Sequence, residues 1–308
     1  MKTAIIVNPV AGNGKNKKMW GEIRDEVKSR IGELVEYNTS NIGDATRLAK
    51  EIALLNDIDL LIVAGGDGTL NEVVNGLINE KNEAVNPKIK LAVLSAGRGC
   101  DFARTLEAPD NYRQVVDMLI QPQTKAVDVG CGFLKDQFGR KQRRLFINMA
   151  SVGLSGRVVE IVGHTSKFLP PEAAYFTSVA ATFLTTKPPK LKVFADEKMV
   201  FEGNALNVFV ANGKFSGAGM CWAPDAKIDD GLFDVVVVEN IPKYKLLSAA
   251  QKLYNRKFLS MPGVYSYRAK SILVEGVSEV PIEMDGEQPG VTPFACTMLP
   301  QMLNFVVA

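Results

Sequence analysis

Residues 59–72 read DLLIVAGGDGTLNE, an apolar run that meets a glycine-rich turn and passes into a helical pattern. The run at 59–64 has the length and unbroken apolarity of a strand buried on both faces. Beyond the turn, Leu70, Val73, Val74, Leu77 and Ile78 fall at i, i+3, i+4, i+7 and i+8, which is one face of a helix. A strand feeding a helix through Gly65-Gly66-Asp67-Gly68 is where open α/β sheets hold their ligands. The glycines let backbone approach a phosphate closely. The helix start offers free N–H groups and the positive end of its dipole. Asp67 puts a carboxylate at the mouth of that site, able to act on a metal or on a hydroxyl proton. Thr69 and Glu72 also fit a capping box, which accounts for those two residues and not for Gly-Gly-Asp-Gly.

Working outward, 3–7 (TAIIV), 33–37 and 89–94 (IKLAVL) read as further strands. Helical periodicity is mixed over 17–31 and returns cleanly at Ala45, Leu48, Ala49 and Ile52. This βαβα order predicts a Rossmann-like parallel sheet covered by helices over residues 1–125. The texture then changes. Residues 143–150, 191–195, 199–202, 205–211, 233–238, 271–275 and 280–284 read as strands separated by turn residues, with one helix near 172–184. Residues 126–292 are therefore expected to form a second, β-rich domain.

Charge and composition exclude several classes. With 36 basic against 34 acidic residues the net charge is +2, which lacks the basic footprint of a nucleic-acid binder. Cys100, Cys131, Cys221 and Cys296 are scattered and the chain has one histidine, His164, so a zinc site is not expected and reduced cytosolic thiols are. No signal peptide is read at the N-terminus, and no window reaches the ~20 apolar residues of a membrane span. The expected location is cytoplasmic, with any lipid met from the membrane surface.

Other turns are candidates for chemistry. Residues 8–15 (NPVAGNGK) are not a Walker A loop, because the first glycine of that motif would fall at Pro9, yet such a loop can bind phosphate through its amides. Gly97-Arg98-Gly99-Cys100-Asp101 is a second glycine turn after a strand, where Arg98 either contacts phosphate or is solvated. Asp229-Asp230-Gly231 is an acidic turn, and Asp285-Gly286-Glu287 by itself reads as a hairpin turn. Phe176, Val179, Ala180, Phe183 and Leu184 have helical spacing and read first as core, second as a lipid-facing surface. His164 reads as a loop residue.

Seven segments, in order and covering nearly the whole chain, resemble the diacylglycerol kinase catalytic-domain family, which also includes sphingosine and ceramide kinases. They are NPVAGNGK at 8–15, TSNIGDA at 39–45, GGDGTLNEVVNG at 65–76, GRGCDFAR at 97–104, NMASVG at 148–153, NGKFSGAGM with APDAKIDDGLFD within 212–234, and Asp285-Gly286-Glu287. Gly-Gly-Asp-Gly-Thr alone also occurs in NAD kinases. The resemblance implies an N-terminal nucleotide domain, a C-terminal β-sandwich-like domain, a cleft between them, and a chain end at 293–308 that returns to the first domain.

The resemblance also implies roles. ATP would be bound by Asn8, Pro9, Val10, Ala11, Gly12, Thr39, Gly65, Gly66, Asp67, Gly68, Thr69, Leu70, Asn71, Glu72 and Arg98. Magnesium would be held by Asp230 with the carbonyls of Lys227 and Leu232, an all-oxygen set that suits a hard ion. Glu287 would accept the proton of a lipid hydroxyl, with Asp285 beside it and Asp67 also catalytic. The implied activity is transfer of the γ-phosphoryl group of ATP to a membrane lipid, diacylglycerol or a related one, through peripheral contact with the inner face of the membrane. Ala11 stands where the family usually has serine, and Arg98 and Cys100 replace its threonine and asparagine. An NAD kinase-like enzyme and a degenerate nucleotide- or lipid-binding protein are the rivals. A homodimer is left open.

Overall fold

The computed structural model of the chain describes residues 2–12, 14–94, 100–109, 112–165, 186–242 and 246–307. The expected helix at 172–184 and Arg98 lie outside the described residues. The first half alternates β1 (Thr3–Val7), α1 (Lys15–Ile31), β2 (Leu34–Asn38), α2 (Asp44–Leu55), β3 (Leu60–Ala64), α3 (Asp67–Leu77), β4 (Lys90–Leu94), α4 (Asp101–Thr105) and α5 (Tyr112–Ile120). Strands β1 to β4 pair in parallel in the order β2-β1-β3-β4. The burial of β3 shows why its run is unbroken. Leu61 and Val63 pack under α2 and α3, while Leu60, Ile62 and Ala64 pack with Trp20, Ile23, Val115 and Leu119 of α1 and α5 on the opposite face.

The second half holds β5 (Gln123–Lys135), β6 (Lys141–Phe146), β7 (Met149–Gly153), α6 (Leu154–Thr165), β8 (Lys190–Ala195), β9 (Lys198–Ala211), β10 (Phe215–Ser216), β11 (Met220–Cys221) and β12 (Phe233–Glu239). It continues with α7 (Leu246–Tyr254), a 3-10 turn at Phe258–Ser260, β13 (Val264–Ala269), β14 (Ser271–Gly276), β15 (Pro281–Met284) and β16 (Glu287–Val307). Strands β8, β9, β7, β15, β16 and β14 pair in a ring that closes when β14 pairs with β8. Val152, Val193, Val208, Val210, Val274, Ile282 and Phe294 fill its interior.

The chain end returns as expected. After running through the second half, β16 pairs in parallel with β4 at Asn304 and Phe305 and so joins both halves into one sheet. Strand β5 begins at Gln123 and runs across residue 125 along β16.

Several expectations are corrected. The strand read at 143–150 is two strands, because Ile147 and Asn148 turn their amides out of the ladder to a carboxylate described below. The two strands read at 199–202 and 205–211 are one, β9, which changes partners from β8 to β7 along its length. Strands β5, β13 and β16 were not anticipated. β5 carries Gly130 and Gly132, where an added Cβ would lie 2.2 Å from the Phe146 ring and 2.9 Å from the Phe294 ring. These glycines pack aromatic rings; they do not end the strand. β16 carries Pro289, Pro293 and Pro300, which read as breaks, but register shifts at Val291/Ala295 and Leu299/Leu303 accommodate the irregularity. His164 lies in α6, not in a loop.

Among the described glycines of the first half, Gly76 lies closest to a neighbouring element. A Cβ there would stand 2.3 Å from the Thr46 carbonyl oxygen of α2. In an isolated helix, Gly→Ala stabilises by about 1 kcal/mol. Here overpacking against backbone, typically worth about 1–3 kcal/mol, opposes that gain. Gly76→Ala is therefore expected to lower stability in urea titration, with a fall in midpoint and an unchanged slope.

Candidate active site

The carboxyl ends of β2, β1 and β3 lie side by side, so the loops that follow them form one edge. Asn8 ties two of these loops together. Its Nδ2 donates to Thr69 Oγ1 at 2.9 Å, and its Oδ1 accepts from the Val10 amide at 3.2 Å. Pro9, Val10, Ala11 and Gly12 follow in the turn, with Val10 77% exposed. Thr39 follows β2, and its amide donates to the Val7 carbonyl at 3.0 Å. Residues Gly65 to Glu72 follow β3, and Leu70 packs in the core below. A Cβ on Gly65 would strike Thr69 at 2.5 Å, whereas one on Gly66 would meet nothing within 4 Å, so glycine there leaves open space above the turn.

Among the described residues no side chain caps α3 at Gly66, which leaves its first-turn N–H groups for a ligand. The capping box does not form. Thr69 receives Asn8 instead, and Glu72 crosses to α2, accepting the Gly43 amide at 2.9 Å and the Ala45 amide at 3.0 Å. Glu72 thus fixes the loop after β2 at the start of α2.

Asp67 faces the adjacent turn. Its carboxylate accepts the amides of Asp101 at 2.9 Å and Phe102 at 3.1 Å, with the Cys100 sulfur at 3.6 Å. Burial pushes its pKa up to about 7, and the charges of Asp101 and Asp285 add to that rise. Asp101 in turn accepts the amides of Ala218 at 2.9 Å and Gly219 at 2.8 Å, tying the start of α4 to the loop between β10 and β11.

The second half supplies the opposite wall. Asp285 and Gly286 have φ of 48° and 89°, the pair of left-handed residues that a two-residue hairpin between β15 and β16 requires. Asp285 is buried, and its oxygens accept four hydrogen bonds. Oδ2 takes Asn71 Nδ2 at 2.8 Å and the Ile147 amide at 2.8 Å; Oδ1 takes the Asn148 amide at 3.0 Å and the Met149 amide at 2.9 Å. A carboxylate has about four such acceptor positions, so Asp285 is saturated and acts here by position. Burial pushes its carboxyl up and these donors pull it back.

Glu287 is the first residue of β16 and is half-exposed. Its Oε1 lies 4.0 Å from where a Cβ on Gly68 would stand, so it overhangs the glycine turn. Arg144 of β6 is ion-paired with it. Burial pushes the Glu287 carboxyl up, Arg144 opposes that, and Glu72 and Asp285 add to it.

The Lys227–Asp230–Leu232 turn is held from β5. Asp128 is fully buried and accepts the Gly231 amide at 2.7 Å and the Gln301 amide at 2.7 Å. The Asp230 carboxylate receives the Leu232 amide at 3.2 Å and pairs with Arg268. Asp234 Oδ2 is buried beside them, 3.7 Å from Arg268 Nε and without a hydrogen bond among the described residues, and burial pushes its carboxyl up to about 6 despite Arg268. Among the described residues no three acidic, histidine or cysteine side chains gather as a metal site, so a hard cation at this turn would take Asp230 in place of Arg268 and draw its other ligands from carbonyl oxygens.

Sequence reading missed Asp128, Arg144 and Glu283. Glu283 is buried, accepts Ser151 Oγ at 2.6 Å and the Gly286 amide at 2.7 Å, and is pushed by burial up to about 7. An acid inside an apolar strand, as in VDVG or PIEM, was the available signal for Asp128 and Glu283. Arg144 gave none.

Known proteins place these features in context. Residues 2–131 match the family described as the diacylglycerol kinase catalytic domain, and 148–307 match the YegS C-terminal NAD kinase beta sandwich-like domain. A diacylglycerol kinase of Staphylococcus haemolyticus is 32% identical over 290 residues, covering 94% of this chain and 83% of its own length. One from Staphylococcus carnosus is 32% identical over 298 residues, covering 95% and 90%. The crystal structure of a Bacillus anthracis diacylglycerol kinase covers 100% of this chain and 97% of its own, with a TM-score of 0.71 at 25% identity. Among the described residues no helix is long and apolar enough to cross a membrane.

The raised carboxyls of Asp67 and Glu283 make stability depend on pH. The unfolded chain sheds these protons near 3.8 and 4.5, whereas the fold keeps them to about 7. Between those limits the folded state binds more protons, so stability falls as pH rises, by at most about 1.4 kcal/mol per pH unit for each group. Urea titrations across this window are expected to show that decline, and Asp67→Asn is expected to flatten it.

Proposed function

This chain belongs to the diacylglycerol kinase family of lipid kinases, and on that premise we propose that it transfers the γ-phosphoryl group of ATP to the hydroxyl of a membrane lipid, diacylglycerol or a close relative. The observation that carries the reading is the Asn71–Asp285 bond at 2.8 Å, with Glu287 overhanging Gly68. It joins the helix that follows the glycine turn to a carboxylate from the other half of the chain, beside Glu287.

ATP would lie along the edge formed by Asn8 to Gly12, Thr39 and Gly65 to Asn71, with its phosphates at the uncapped start of α3. Magnesium would be held by Asp230 with the carbonyls of Lys227 and Leu232, where it neutralises the acid-rich turn and stiffens the second half. Phosphoryl transfer needs positioning and charge neutralisation more than covalent chemistry from the protein. The lipid hydroxyl oxygen forms the new bond to phosphorus, the bond to the leaving ADP oxygen breaks, and the hydroxyl proton passes to Glu287. Asp67 fixes the turn at residues 100–102 across the nucleotide edge. The acceptor is reached from the membrane surface at its inner face.

The deciding experiment uses purified protein, radiolabelled ATP and extracted lipids, with product identification and NAD as a competing acceptor. A phosphorylated lipid is expected; phosphorylated NAD alone would retire the reading. Glu287→Gln is expected to cut turnover by about 10²–10⁴-fold, the usual worth of a general base, and to leave ATP affinity by calorimetry nearly unchanged. Added magnesium is expected to raise the melting temperature of the wild type and not of Asp230→Ala, because an ion that binds only the fold stabilises it.

A further inference from the structure

Glu287 has three rotatable side-chain bonds and starts a strand beside open space. Backbone geometry alone does not fix where its carboxylate points. Among the described residues, that carboxylate has one hydrogen-bond partner, the guanidinium of Arg144. Arg144 sits two residues before the end of β6, and its Nη2 also approaches Asn71 Oδ1 at 3.5 Å. Asn71 is the side chain that bonds Asp285. The guanidinium therefore stands between α3 of the first half and the β15–β16 hairpin of the second.

We infer that Arg144 is a positioning residue for the proton acceptor: its guanidinium holds the Glu287 side chain over the glycine turn as a carboxylate ready to take a proton. The inference rests on the reading of Glu287 as the base. Electrostatics favour it. Glu287 is flanked by the charges of Glu72 and Asp285 and is partly desolvated, and all three influences favour the neutral acid. A neutral acid cannot accept the hydroxyl proton. Arg144 is the opposing charge in that set, and a guanidinium stays charged at any working pH. Its planar fork also fixes direction, which a lysine ammonium on a flexible stem does less well. No proton leaves Arg144; it donates hydrogen bonds throughout.

The test compares wild type, Arg144→Gln and Arg144→Lys in lipid phosphorylation across pH. Loss of an opposite charge at this range raises a carboxyl by about one unit or more. The acidic limb of kcat/KM is expected to move up by about that amount in Arg144→Gln, so its loss is greatest at acid pH and shrinks as pH rises. Arg144→Lys is expected to keep the limb and lose turnover. Asp67 titrates in the same range, so the carboxyl carbon of Glu287 is followed directly by NMR in ¹³C-glutamate-labelled protein, assigned by its absence in Glu287→Gln. Its titration is expected to shift up in Arg144→Gln. An unshifted Glu287 titration, or a loss equal at every pH, would overturn the inference while leaving the base assignment intact. Undiminished turnover in Glu287→Gln would instead remove the base assignment itself.

Discussion

The site depends on the buried carboxylate of Asp285. A buried charge is costly unless its acceptor positions are filled. Here they are filled by an amide side chain from α3 and by three successive backbone N–H groups at 147–149. Those N–H groups are free because the chain leaves the ladder between β6 and β7. The same residue takes a left-handed conformation and turns the hairpin that presents Glu287. One side chain therefore sets the distance between the glycine turn and Glu287. Removing it would leave several donors buried and unpaired, which links the stability of the fold to the integrity of the cleft.

Around this point the molecule concentrates acids. Asp67, Asp101, Glu283, Asp285 and Glu287 all have carboxyls raised by burial. Such a set repels itself, and the backbone amides and Arg104 and Arg144 offset only part of that. A site built this way trades stability near neutral pH for groups that exchange protons in that range. Most of these acids have a bracing task. Asp67 and Asp101 fasten the glycine turn and the start of α4 to each other and to the β10–β11 loop, and Glu283 fastens the hairpin from beneath through Gly286 and Ser151. Glu287 differs in being half-exposed and held by an ion pair rather than by backbone.

The parallel sheet was legible because β1, β3 and β4 are buried on both faces, which writes continuous apolar runs, whereas β2 at the edge is half-buried and mixed in sequence. The glycine turn was legible because Gly-Gly-Asp-Gly at the end of such a strand has few structural explanations. The second half was legible only in pieces. Glycines that make room for Phe146 and Phe294 look like breaks, and prolines absorbed at irregularities of β16 look like turns. Thr69 and Glu72 match a capping box by spacing, yet their partners lie on other elements.

By itself the sequence determined the α/β order of the first half, the β-rich character of the second, the glycine-rich turn between strand and helix, and, through resemblance, the family. These are local properties: period, run length and the residues that a tight turn admits. Tertiary structure alone decided that the second half closes into a ring of strands, that Glu72 braces a neighbouring helix, that Asp285 is saturated by donors, and that Arg144 meets Glu287. Each of those rests on partners brought together across long stretches of chain, 214 residues for Asn71 and Asp285 and 143 for Arg144 and Glu287. Spacing along the chain carries no record of such a meeting, because it is packing of the whole core that brings the two ends of each pair within reach.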